Sequence, residues 1–129
     1  MDQNDNLEKK VLIIDDDKVN IISMAHFLKP YYKVIIAKDG LLGITAAEKH
    51  LPDLILLDVV MPDMSGFDVI VKLKESEITK NIPVIFISGL INVDGNAERC
   101  MSLGAADIIC KPFNESDIME KISLFFKEK

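Results

Sequence analysis

The chain has 129 residues, 49% of them hydrophobic, and a formal net charge of −6. That length and apolar content suit one domain with a packed core and exclude a chain disordered by composition. An acidic balance with no basic patch interleaved with aromatics excludes a general binder of phosphate backbones, whose affinity comes from Lys and Arg. The start, Met1-Asp2-Gln3-Asn4-Asp5-Asn6, is polar and acidic and lacks the features of a signal peptide. No run is long enough to span a membrane. Cys100 and Cys110 have neither CxxC spacing nor neighbouring histidines, and Cys110, lying in an apolar run, is expected to pack in the core. A reducing, cytoplasmic setting is the expectation. Residues 1–9 read as a polar N-terminal extension and residues 10–129 as one domain.

Val11-Leu12-Ile13-Ile14 is the first of five short apolar runs, and it ends in Asp15-Asp16-Asp17. Continuous apolar runs of this length read as strands buried on both faces. Helical spacing follows over 18–29, with Val19, Ile22, Ala25, His26 and Leu28 along one side; Pro30 ends it, since proline cannot continue a helix. A second strand falls near 33–37. Asp39-Gly40 opens a helix over 39–50, and Pro52 follows its end. The third strand, 53–58, closes on Asp58 and is followed by Val59-Val60-Met61-Pro62. Gly66 stands at the entrance of a helix over 65–75. The fourth strand, 83–88, ends in Ser88-Gly89, and a helix over 92–103 follows with Gly104 as its cap. Ala106-Asp107-Ile108-Ile109-Cys110 forms the fifth strand and runs into Lys111-Pro112. The last helix, 114–127, begins with Asn114 as cap and Asp117 three residues on, a variant of the capping box. Ile118, Ile122 and Phe125 share its core face, and Met119 and Phe126 widen the apolar arc. Five strand–helix units with short connections predict an α/β fold, a doubly wound parallel sheet of five strands with five helices on both faces.

Open sheets of this kind place ligands outside the carboxyl ends of their strands, and the chemistry of this chain collects there. Asp15 and Asp16 leave the first strand together and Asp58 leaves the third. These strands are usual neighbours, so three carboxylates would converge. Close like charges repel, and a divalent cation relieves the repulsion; oxygen-only ligation suits Mg²⁺. Asp17 faces solvent or caps the first helix. Lys111 offers an ammonium that can pair with a phosphoryl oxygen. Pro112 fixes the turn beside it, for which a cis peptide bond is one route. Ser88 can donate to an anion, and Gly89 leaves room for one. Singly these are ordinary features: a capped helix start, a surface lysine, a turn serine. Together they are what phosphoryl transfer needs, because its catalysis is mostly positioning and charge stabilisation. Asp58 is the candidate nucleophile and would become an acyl phosphate. Asp15 and Asp16 would hold Mg²⁺, and Ser88 and Lys111 the phosphoryl oxygens.

These motifs, Ile14-Asp15-Asp16-Asp17, Asp58-Val59-Val60-Met61-Pro62 with Gly66, Ile87-Ser88-Gly89 and Lys111-Pro112-Phe113, resemble the receiver domains of two-component response regulators in order and spacing. The resemblance covers about residues 10 to 127. It implies a flavodoxin-like strand order. It implies that Asp58 accepts phosphate from a phosphohistidine on a sensor histidine kinase or histidine phosphotransfer protein. It further implies Mg²⁺ bound by Asp16 and Asp58, by Asp15 through water, and by the backbone carbonyl of Val60. Such a domain phosphorylates and slowly dephosphorylates itself rather than turning over a separate substrate. In this family the face of the fourth helix, fifth strand and fifth helix often carries output or homodimer contacts, with the output partner unspecified here. Two departures from the family pattern matter. Many members carry a switching aromatic where this chain has Ile108, so switching is left to the Ser88 loop and the fourth helix, or to a smaller change at Ile108. Polar residues that help position the hydrolytic water are replaced by Val60 and Leu90, neither of which can hydrogen-bond. Slow self-dephosphorylation is therefore expected, and Val60→Asn with Leu90→Glu should shorten the phosphoryl lifetime. Decay of the adduct followed by intact mass checks this, and unchanged lifetimes in the single and paired variants contradict it.

Two rival readings stand beside this one. Asp15-Asp16-Asp17-Lys18-Val19 fits the DxDx(T/V) pattern of haloacid-dehalogenase-like phosphatases, with Asp15 as nucleophile and Asp17 as acid/base. That reading leaves Asp58 and its flanking motif without a purpose, and the chain has little room for a substrate cap. A non-catalytic receiver-like docking module is the other, opposed by the complete set of acidic residues, Ser88 and Lys111. No G-x-G-x-x-G follows the first strand, which disfavours dinucleotide binding.

Overall fold

The computed structural model describes residues 8–89 and 95–127. Five strands, β1 (Lys10–Ile14), β2 (Lys33–Ala37), β3 (Leu54–Asp58), β4 (Val84–Ser88) and β5 (Asp107–Cys110), alternate with five helices. The helices are α1 (Lys18–Leu28), α2 (Gly40–His50), α3 (Gly66–Glu75), α4 (Asn96–Ser102) and α5 (Glu115–Lys127). All strand pairings are parallel, and the order across the sheet is β2-β1-β3-β4-β5. The predicted doubly wound fold is thus the observed one.

Strand alternation divides the core into two layers. Leu12 and Ile14 of β1, Ile55 and Leu57 of β3, and Val84 and Phe86 of β4 meet α2, α3 and α4. Their neighbours Val11 and Ile13, Leu54 and Leu56, and Ile85 and Ile87 meet α1 and α5. Both faces of the central strands are buried, which is why they read as unbroken apolar runs. The chain winds outward from β1 to β2, then crosses back to β3, so the strand order reverses between β1 and β3. A crevice at the carboxyl ends of strands follows from that reversal.

Local chemistry starts the helices where the sequence places them. The Asp17 carboxylate accepts from the backbone N–H of Val19 at 2.9 Å and caps α1. Asp39 caps α2 through Leu42 N–H at 2.8 Å, and Ser65 caps α3 through Asp68 N–H at 3.2 Å. Before α5, Asn114 and Asp117 each accept from the other's backbone N–H at 2.9 Å. Asn114→Ala should lower stability by about 1 kcal/mol, read as a reduced urea midpoint, and leave the chemistry at Asp58 unchanged. Gly104 takes a φ of +104° after α4, as a helix-ending glycine can.

Three expectations need correction or bounds. The buried side of α1 is Ile21, Met24, Ala25 and Leu28, whereas Val19 and Ile22 face solvent. Ala25 and Leu28 of the expected line are buried, but Val19, Ile22 and His26 are not, because apolar residues on several sides of the helix leave periodicity unable to choose the facing. Cys110 is exposed and Cys100 is the buried cysteine: Cys110 is the last residue of β5, an edge strand of the sheet, where an apolar run does not ensure cover. The fourth helix runs from Asn96, with Gly95 at its N-cap. The predicted start near 92, and the polar extension over 1–7, fall outside the described residues.

Candidate functional site

The side chains singled out for phosphoryl chemistry sit at the carboxyl edge of the sheet. Asp15 follows β1, Asp58 ends β3, Ser88 ends β4 and Lys111 follows β5. Asp15, Asp58 and Ser88 are each at most 5% exposed. One carboxylate oxygen from each of Asp15, Asp16 and Asp58 lies within 4.8 Å of the others, and Asp16 is open to solvent. Lys111 closes the group: its Nζ lies 3.3 Å from Asp58 Oδ2 and 3.7 Å from Asp15 Oδ2. The Lys111–Pro112 peptide is cis, and the Lys111 N–H donates to the Ser88 carbonyl at 3.2 Å. The β4 and β5 ends are therefore tied together beside the acidic cluster. Gly89 is exposed, and its α-carbon faces the Lys111 side chain without crowding it.

Asp15 carries the clearest electrostatic signature. Its Oδ1 accepts from the Asp17 N–H at 2.9 Å, while Oδ2 is buried without a hydrogen-bond partner. Burial pushes its carboxyl up to about 6, with the Asp58 charge adding to the effect and the Asp17 N–H and Lys111 opposing it. An orphaned buried carboxylate oxygen is rare and calls for a partner. A hard cation beside Asp16 and Asp58 is the partner the donor set fits: three carboxylates, no nitrogen or sulfur, and one side open to water. Asp17 is engaged in capping α1, and the described residues give it no role in the cluster.

Gly66 enters the site more deeply than its place at a helix start suggested. Its N–H donates to the Val59 carbonyl at 2.7 Å, closing the loop that carries Val60 to Ser65. A β-carbon there would collide with the Asp58 carbonyl oxygen and lie 2.9 Å from the Val59 α-carbon. The backbone passes directly behind the acidic carboxylate. The signal was visible as a glycine shortly after Asp58, but the close approach is a tertiary fact. Val60 is exposed on this loop. Ile108, on β5, is half-buried and packs against the α2–α3–α4 layer. Leu90 lies outside the described residues.

Comparison with known proteins agrees with this geometry. Residues 11–123 match the response regulator receiver domain family. Response regulator PleD of Caulobacter vibrioides is 37% identical over 119 residues, which are 90% of this chain and 26% of that protein. The polar-differentiation response regulator DivK of Brucella ovis is 31% identical over 120 residues, 92% of this chain and 97% of that protein. The chain thus spans about a quarter of PleD and nearly all of DivK. Among solved structures, a CheY-like receiver domain protein from Methanospirillum hungatei superposes with a TM-score of 0.85 at 30% identity, covering 93% of this chain and 94% of that one. Among the described residues no helix is long and apolar enough to cross a membrane. Sequence match, strand order and the acidic crevice converge: the chain belongs to the response regulator receiver domain family and is a two-component signalling domain.

Proposed function

We propose that Asp58 is the phosphoacceptor and takes a phosphoryl group from a phosphohistidine of a sensor histidine kinase or histidine phosphotransfer protein. The observation that carries this reading is the buried carboxylate of Asp58 at a strand end, 3.3 Å from the Lys111 ammonium and beside an Asp15 oxygen that has no hydrogen-bond partner. An Asp58 oxygen attacks the phosphorus, a new O–P bond forms, and the P–N bond to the donor imidazole breaks. The imidazole leaves with the electron pair of that bond. Lys111, freed from its carboxylate contacts, pairs with a phosphoryl oxygen, and the Ser88 hydroxyl donates to another. Asp15, Asp16, Asp58 and the Val60 carbonyl are the groups that would hold Mg²⁺. That ion, when bound, supplies neutralisation of the phosphoryl oxygens and of the crowded carboxylates.

Rigid placement is what the fold contributes. Asp58 sits on a strand buried on both faces, and Lys111 is anchored through its own backbone to β4, so the groups need little reorganisation. The new charge then biases an existing equilibrium only by its differential affinity for two states. Ser88 and Ile108, joined to α4 and β5, are the residues placed to register the change and to alter partner binding. The haloacid-dehalogenase reading loses support here, since Asp17, its acid/base, is engaged in capping α1. Asp58→Asn, exposed to a small phosphodonor with Mg²⁺, separates the readings. Loss of the adduct supports the receiver chemistry, and turnover that needs Asp15 but survives loss of Asp58 would favour the phosphatase.

A further inference from the structure

Charge on this chain is segregated in a way the phosphoryl chemistry does not use. From Lys18 to Lys38, across α1, the following loop and β2, there are four lysines and no aspartate or glutamate; all 21 acidic residues lie elsewhere. β2 is an edge of the sheet. Its Ile36, on the α1 side, is 41% exposed, and on the helix Ile22 is 59% exposed. Between them runs a groove of about 290 Å³, lined by Ile21, Ile22, Ala25 and Ile36 with His26 and Lys29 at its margin. Lys33 and Lys38 bracket the strand and are both exposed. The carboxylate that follows, Asp39, is committed to the Leu42 N–H as the cap of α2.

We propose that this α1–β2 edge is a docking groove for an acidic amphipathic helix of a partner protein. Apolar side chains of such a helix would fill the groove between Ile22 and Ile36, and its flanking carboxylates would meet Lys29, the Lys38 that follows the strand, and the His26 side; Lys33 shares the opposite face of β2 with Ile35 and Ala37. The complementarity is local. A short acidic helix reads the lysines within a screening length of about 8 Å, whereas an anionic membrane or a nucleic acid also meets the net negative charge of the whole chain. A concave apolar seat with a basic margin is the form taken by helix-in-groove recognition. The groove lies apart from the Asp58 cluster, so the inference does not rest on that site's chemistry.

The test uses the whole chain and a synthetic amphipathic peptide, with Leu at i, i+3, i+4 and i+7 and Glu on the other positions, against a twin with Lys in place of Glu. Binding is followed by fluorescence anisotropy and by amide chemical shifts. The acidic peptide is expected to bind, to move the amides of Ile22, His26 and Ile36, and to outbind its basic twin. The combined variant Lys29→Glu, Lys38→Glu should weaken it by about tenfold or more. An equal charge change elsewhere, Lys72→Glu, Lys80→Glu, should alter it within about twofold. Ile22→Ser and Ile36→Ser should each weaken it while the folded far-ultraviolet spectrum is retained. No binding, equal loss in both charge variants, or shifts on another surface overturn the proposal. So does binding of phosphatidylserine vesicles, or self-association, through these same residues, since either names a different occupant.

Discussion

Gly66→Ala is expected to abolish phosphoryl acceptance by Asp58 and to lower stability by about 3 kcal/mol, at the upper end for overpacking in a filled site. The atoms in the way are backbone: the Asp58 carbonyl oxygen nearest of all, the Val59 α-carbon at 2.9 Å and the Asp58 carbonyl carbon at 3.0 Å. No rotamer change can move them aside. Relief must come from shifting the end of β3 or the loop from Val59 to Ser65, which the Gly66 N–H also ties at 2.7 Å to the Val59 carbonyl. Either movement displaces the Asp58 carboxylate from Lys111, and displacements of about 1 Å at a reacting group can cost a hundredfold in rate. Urea denaturation and intact mass after incubation with a phosphodonor read the two effects. Gly104→Ala is the control, because its cost of about 1 kcal/mol comes from a left-handed backbone at the opposite edge of the sheet. That variant should be destabilised and still accept phosphate. Full phosphorylation of Gly66→Ala would show that the close approach behind Asp58 has no bearing on the site.

Asp15→Asn is expected to raise the stability of the metal-free protein at pH 7 by on the order of 2 kcal/mol and to weaken Mg²⁺ binding. In the unfolded chain the carboxyl titrates near 3.8, and in the fold at about 6. Between those values the native state holds the extra proton, so stability falls as pH rises across that window. The favourable contribution is complete below pH 3.8 and is lost as pH passes about 6. Asparagine keeps the oxygen that accepts from the Asp17 N–H and removes the buried charge. The difference between wild-type and variant melts, taken from pH 4 to pH 7 without metal, isolates this group from the other carboxylates. Mg²⁺ must bind the ionised form, so its affinity for the wild type should climb with pH by up to about tenfold per unit below 6 and then level off. The variant should show a shallower climb. A wild type whose melt difference is flat across the window would contradict the raised carboxyl.

Much of the fold was legible because its central strands are buried on both faces and four of its helices, all but α4, are capped by charged or polar side chains at their first turns. Val11 to Ile14 and Leu54 to Leu57 are unbroken apolar runs for that reason, and Asp39 and Asn114 mark helix starts through hydrogen bonds any sequence reader can anticipate. The site was legible for a related reason: parallel strands end together, so the sequence positions of Asp15, Asp58, Ser88 and Lys111 assign them to one edge. The facing of α1 was not legible, since Val19 and Ile22 are as apolar as Ile21 and Met24, and only tertiary packing decides between them. Cys110 was misplaced because an apolar run does not reveal that its last residue ends an edge strand. Contacts between side chains far apart in sequence were equally hidden. The Arg99 guanidinium lies 4.0 Å over the Phe67 ring and links α4 to α3, and Lys121 pairs with Asp107 at 3.0 Å; neither has a signature along the chain.

The central claim is that Asp58 accepts a phosphoryl group in a cation-dependent reaction. Intact mass of wild type and Asp58→Asn, each incubated with acetyl phosphate with and without Mg²⁺, tests it most directly. One added phosphoryl group on the wild type with Mg²⁺, absent without the ion and absent from the variant, is the predicted result. An adduct of the same mass on folded Asp58→Asn, or none on the wild type even when a phosphorylated histidine phosphotransfer protein is the donor, would contradict it.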